Sequence, residues 1–158
     1  MIRAFRDQDK DYVIESHIRI YKEEYQFDHT FAAYIHDSVH DFVSQANREK
    51  EHIWIAEMDV EPKGMIGIAR VDHDTARLRW FLVEPDARGQ GLGKQLMEQA
   101  ITFSEQRQYK RIILWTHSDL IQARKLYTHY GFRLVETTSK QLSGQELVEE
   151  KWELDLVD

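Results

Sequence analysis

Residues 88–93 read Arg-Gly-Gln-Gly-Leu-Gly, so three of the chain's seven glycines fall in this one window. The window follows an apolar run ending Leu82-Val83 and a turn at Pro85-Asp86. It precedes apolar residues at helical spacing: Leu92, Leu96, Met97, Ala100 and Phe103. Without a Cβ, backbone can take φ > 0 and touch a ligand closely. At a helix N-terminus several N–H groups then face outward with partial positive charge, which suits a phosphate or pyrophosphate. Arg88 and Lys94 add full charges beside them. The plainer alternative is a strand-to-helix turn with no ligand.

The spacing discriminates among phosphate loops. A dinucleotide fingerprint starting at Gly89-x-Gly91 needs glycine at 94, which is lysine. A P-loop ending at Gly93-Lys94 needs glycine where Arg88 stands, and Ser or Thr where Gln95 stands. What remains is Arg88-x-x-Gly91-x-Gly93, which resembles the acyl-CoA pyrophosphate loop of the GNAT superfamily of N-acetyltransferases. A second segment, Ala123-x-x-Leu126-Tyr127-x-x-x-Gly131-Phe132, resembles the segment following the fifth strand of the same superfamily. Loop, helix, strand Arg111–Thr116, helix and Gly131-Phe132 come in the superfamily's order. The resemblance covers about residues 64–135.

The resemblance implies acetyl-CoA as cosubstrate and a primary amine as acceptor. It implies CoA-binding positions at Leu82, Val83, Arg88, Gly89, Gln90, Gly91, Leu92, Gly93 and Lys94. Leu82 and Val83 would act through backbone groups, on a strand that splays from its neighbour. Tyr127 would protonate the departing CoA sulfur. A phenol of ordinary pKa near 10 keeps its proton at neutral pH and can donate it; the bland alternative is a tyrosine that packs a helix on a sheet. The general base has several candidates. His117, just after a strand, has a suitable ordinary pKa. Asp72, His73 and Glu23 are weaker, and Glu84 is expected to face solvent. Relatives often carry asparagine where this chain has Leu120, which puts a CoA contact there in doubt. His36 and His40 share a helix face at i, i+4, but without an HExxH pattern the expectation is no metal site.

Composition narrows the class. The length of 158 residues is expected to form one domain over 1–158. No stretch is apolar enough for a membrane span, and Met1–Arg6 becomes charged at once. Cysteine is absent, which excludes disulfides and thiol catalysis. The expected location is cytoplasmic. The formal charge of −7 disfavours nucleic acid and favours approach of a cationic acceptor. Local positive charge for CoA would come from Arg88, Lys94, Arg124 and Lys125. Expected partners are a small-molecule or peptide amine, with a homodimer open. The alternatives are a non-catalytic acyl-CoA sensor module and transfer to a protein lysine or N-terminus.

These residues need elements to position them. Ile2–Phe5 reads as a strand. A helix from Lys10 carries the stripe Ile14, Ile18, Tyr21, Tyr25; a second carries Phe31, Ile35, Val39, Phe42, Ala46, with Asp28 as N-cap. The period then changes to two over His52–Asp59, Met65–Val71 and Arg77–Val83, with turns expected at Glu61–Gly64 and Asp72–Asp74. In the third strand Leu78, Trp80 and Leu82 alternate as one face. A helix is expected over 91–107. The next has Asp119 as cap with Gln122 completing a capping box, and Gly131 at C′. Phe132–Lys140 and Gln145–Leu156 read as a hairpin about Ser143-Gly144. The sum is an α+β fold, a mixed and mostly antiparallel sheet with a splayed strand pair and helices on both faces, the layout of the GNAT fold. The acceptor is expected near Tyr21, Tyr25, Phe27 and the loop after Asp72.

Overall fold

The computed structural model describes residues 1–45, 49–142 and 144–157. Ala46 and Ser143, expected in the second helix stripe and the last turn, lie outside the described residues. The chain runs β1 (Ile2–Ala4), α1 (Lys10–Tyr25), α2 (His29–Gln45), β2 (His52–Met58), β3 (Glu61–Arg70), β4 (Thr75–Val83), α3 (Leu92–Gln106), β5 (Arg111–His117), α4 (Ile121–His129), β6 (Arg133–Leu142) and β7 (Gln145–Asp155). The strands form a seven-stranded sheet in the order β1-β2-β3-β4-β5-β7-β6. Every pairing is antiparallel except β4 with β5. Among the described residues, no helix is long and apolar enough to cross a membrane.

Alternation along each strand divides the core. Ile53 and Ile55 pack with Val13, Ile20, Ile35 and Phe42 of α1 and α2. Trp54 and Ala56 pack with Leu96, Ala100 and Phe103 of α3 on the other face. The α2 stripe is buried as expected, and Asp28 caps it by accepting the Thr30 N–H at 3.0 Å. The α1 stripe is rotated from expectation. Val13, Ser16, His17 and Ile20 face inward, while Ile14 and Ile18 are only half-buried. A serine and a histidine on the inner face hid it.

Other boundaries shift for local reasons. The β2–β3 turn is Asp59-Val60, both at positive φ (54° and 67°), the signature of a two-residue hairpin turn. The segment expected to turn, Glu61–Gly64, is strand. Pro62 is tolerated there because the β3–β4 ladder begins only at Gly64, so no neighbour on that side needs its N–H. Asp119 does not cap α4; Leu120 holds that position without a side-chain cap. The other end of α4 is as expected. Gly131 has φ +92°, its N–H donates to the Thr128 carbonyl at 3.1 Å, and Phe132 N–H donates to Tyr127 carbonyl at 3.0 Å, a complete Schellman cap.

The main correction concerns β4. It pairs with β5 only at Thr75, Ala76 and Arg77, then parts from it. Just beyond, Met65 faces Leu82 but Gly67 faces Arg79, so β4 carries an extra residue there. Trp80 has φ +49°, rare for a bulky residue and typical of a bulge. The bulge reverses the strand's faces. Leu78 packs on the α3 side, whereas Trp80 and Leu82 pack on the α1–α2 side. Gly67 admits this kink, since a Cβ there would lie 2.6 Å from Trp80 Cε3. Gly67→Ala is therefore expected to cost about 1–3 kcal/mol of stability, the range for overpacking. Urea unfolding measures it, and a wild-type midpoint would remove the fit between Gly67 and Trp80.

Candidate active site

Where β4 leaves β5, two cavities meet. One of about 530 Å³ is walled by Leu82, Val83, Arg88, Gly89, Gly91 and Gly93, facing Leu120–Ala123 at the start of α4. The other, about 600 Å³, is walled by α1, α2, the middle of β4 and the end of β5. Tyr21, Phe81, Leu120 and Ala123 line both.

The glycine loop has the geometry that an anion cradle requires. Gly89 and Gly91 sit at φ +80° and +84°, with Gly91 as N-cap of α3. Among the described residues, the N–H groups of Gly89 through Lys94 donate to no acceptor. These donors at a helix N-terminus fit a pyrophosphate. The side chains contribute less than expected. Arg88 is ion-paired to Glu24 of α1 at 2.7 Å, and its Nε donates to the Val83 carbonyl at 3.1 Å. Arg124 is held by the buried Glu150 at 2.9 Å. Gln90 and Lys94 are exposed and lie outside the cleft walls.

Glu84 was expected in solvent and is instead buried. Arg19 donates to its carboxylate at 2.9 and 3.0 Å, and Tyr12 O–H at 2.7 Å. The Arg19 guanidinium, followed by Tyr12, holds the Glu84 carboxyl below the usual carboxylate range despite burial. The pair ties α1 to the last residue before the loop, a link 65 positions long that spacing does not reveal.

The 600 Å³ cavity brings together the two residues expected to act on protons. Tyr127 is 5% exposed, and burial pushes its phenol well above the ordinary value. His117 lies across the same space, its Nδ1 buried without a hydrogen-bond partner and its ring edge-on to Phe27 at 5.6 Å. Burial lowers the His117 pKa, against opposing pull from Glu149. His17, which the sequence reading missed, also lines this cavity. Burial pushes it down to about 4, and its Nδ1 lies 2.8 Å from the Val13 carbonyl, which fixes the proton on that nitrogen. Its apolar neighbours at i±3 and i±4 were the only available signal. Asp72 is spent on its own turn, accepting the Asp74 and Thr75 N–H groups at 2.9 Å. It, His73 and Glu23 line neither cavity, nor does the loop after Asp72. Of the aromatics expected around the acceptor, Tyr21 alone is in this wall. Tyr25 faces the loop-side cleft, and Phe27 lines a smaller hollow behind His117.

A profile of the acetyltransferase (GNAT) family matches residues 13–132. The chain is similar to an N-acetylaspartate synthetase of Danio rerio, 33% identical over 93 residues, 58% of this chain but only 33% of the relative. It thus spans about a third of that relative's length. It is 27% identical over 147 residues to an uncharacterized N-acetyltransferase of Archaeoglobus fulgidus, covering 84% of this chain and 94% of that one. Among solved structures, a GNAT-family acetyltransferase of Staphylococcus aureus superposes with a TM-score of 0.80 at 22% identity, over 99% of each chain.

Gly91→Val puts a branched side chain at φ +84°, where little surrounds it, so the loop's conformation changes more than its packing. If these N–H groups receive the pyrophosphate of the expected cosubstrate, calorimetry should find acetyl-CoA affinity at least tenfold weaker, about 1.4 kcal/mol. Unchanged affinity in a folded variant removes the cradle reading.

Proposed function

Because the chain belongs to the acetyltransferase (GNAT) family, we propose that it transfers an acetyl group from acetyl-CoA to a primary amine by direct attack on the thioester. The observation that carries this reading is the junction of the two cavities between the parted strands, one walled by the glycine loop, the other by Tyr127 and His117. Acetyl-CoA supplies the thioester carbonyl at which the new C–N bond forms and the C–S bond breaks. The amides of Gly89 to Lys94 hold the pyrophosphate. The strand edges near Leu82 and Val83, released from β5, offer backbone groups to the acyl arm.

Two proton transfers frame the reaction. His117 enters neutral, because burial disfavours its charged form, and its imidazole, in the wall of the cavity, takes the amine's proton. Tyr127 keeps its proton for the same reason and presents it to the sulfur as negative charge grows. The raised pKa makes the phenol a reluctant acid. A thiolate forming in the same low-dielectric space also gains proton affinity, so the transfer stays matched.

Tyr127→Phe keeps the ring and removes the donor, so kcat should fall about 10²- to 10⁴-fold with little change in CoA affinity. Wild-type turnover would assign the proton elsewhere; collapsed CoA affinity would make Tyr127 a packing residue. For His117, a lowered pKa means the base stays neutral to more acidic pH. The acidic limb of kcat/KM should therefore lie below the ordinary value of about 6.5 and disappear in His117→Ala. A limb that persists in that variant excludes His117 as base.

A further inference from the structure

We propose that the acceptor is an amine carrying a carboxylate, of the amino-acid type, whose carboxylate is received by Arg77 and Arg79. This rests on the transferase reading above and adds the chemical class of its acceptor. The chain's formal charge of −7 pointed instead to a cationic acceptor. The wall of the 600 Å³ cavity has the opposite local balance. Its ionic side chains are Arg77, Arg79, Lys140 and Glu149. Lys140 and Glu149 cancel, with Nζ 3.2 Å from the carboxylate. Two guanidiniums remain, and among the described residues neither has a carboxylate within ion-pair distance.

Their hydrogen bonding is correspondingly incomplete. Both lean on one phenol, Arg79 donating to Tyr34 O–H at 2.9 Å and Arg77 at 3.4 Å. Arg77 Nε is buried with no acceptor. Arg79 is braced by the rings of Trp80 at 4.6 Å and Tyr34 at 5.9 Å, so its plane is oriented while donors stay unused. Asp37, Asp41 and Glu51 share a neighbouring hollow with Arg79, and Glu51 accepts the Arg70 N–H at 2.9 Å. None of the three reaches Arg79 within ion-pair distance. At i and i+2 the two arginines point to the same side of β4, beginning at the last residue paired to β5. A planar carboxylate matches such donors in geometry as well as charge, whereas a polyamine would be repelled. The same positive wall lowers the pKa of an arriving ammonium and so favours the free amine that attacks.

The test measures CoA release with saturating acetyl-CoA across L-amino acids, their primary amides, γ-aminobutyrate, putrescine and spermidine. The amides carry the less basic amine, so protonation state alone would favour them. At least one carboxylate-bearing amine should exceed its amide by tenfold or more in kcat/KM. Arg77→Gln and Arg79→Gln should each bring that ratio toward one, with acetyl-CoA affinity as the control for folding. An amide or polyamine used as well as the best amino acid overturns the inference. So does an amino-acid panel left untouched by protein that binds acetyl-CoA. Failure of acetyl-CoA to bind in calorimetry takes down the transferase reading and this inference with it, and is thereby told apart from a failure of the acceptor chemistry alone.

Discussion

The separation of β4 from β5 after Arg77 and Ile113 is the constraint on which the rest of the site depends. A sheet interior that loses its ladder leaves backbone donors and acceptors without partners, a costly arrangement unless something else meets them. Here the gap opens beside a bulge centred on Trp80, and the bulge exists because Gly67 on the neighbouring strand leaves room for the indole. The kink turns Trp80 and Leu82 toward α1 and α2 and leaves Phe81 and Val83 on the α3 side. The two cavities meet beside that reversal of faces, sharing Phe81 in their walls.

An opened sheet needs walls that do not drift, and two buried carboxylates supply cross-ties. Glu84 joins the end of β4 to Tyr12 and Arg19 on α1. Glu150, 3% exposed, accepts from Arg124 Nε of α4 at 2.9 Å and from Trp152 Nε1 at 3.1 Å. Buried charges of this kind add modest net stability, but removing one partner leaves an uncompensated ion. They act as registration marks for the elements that face each other across the cleft. The Schellman cap at Gly131 adds a third, returning the chain sharply so that Phe132 packs 5.8 Å from the Tyr127 ring.

Local signals carried well from sequence to structure. The glycine loop, the start of α3, the α2 stripe, the Asp28 cap and the Gly131 cap each depend on a few adjacent residues, and each stands where its spacing put it. What spacing cannot express is a change of face within a strand. Leu78, Trp80 and Leu82 alternate without a break, yet they serve two cores because the extra residue is visible only in the pairing with β3. Long-range ion pairs are equally silent, which is why Glu84 read as a solvent group and Arg88 as a free cation. Net charge is silent for a related reason, since a sum over the chain says nothing about which arginines of the 600 Å³ cavity lack a carboxylate partner.

The Glu24–Arg88 pair gives the cleft an unusual relation to salt. An anion that enters meets a guanidinium already neutralised at 2.7 Å, so any bond it makes there replaces one ionic contact with another. Dissolved ions screen the contact being lost as well as the one being gained, and much of their effect cancels at this residue. What the cleft offers the newcomer besides is the run of unpartnered amide donors on the glycine loop, fixed in direction by the backbone. On this reading the cleft recognises its ligand by dipole geometry more than by charge count, an economical solution for a chain whose overall field repels anions.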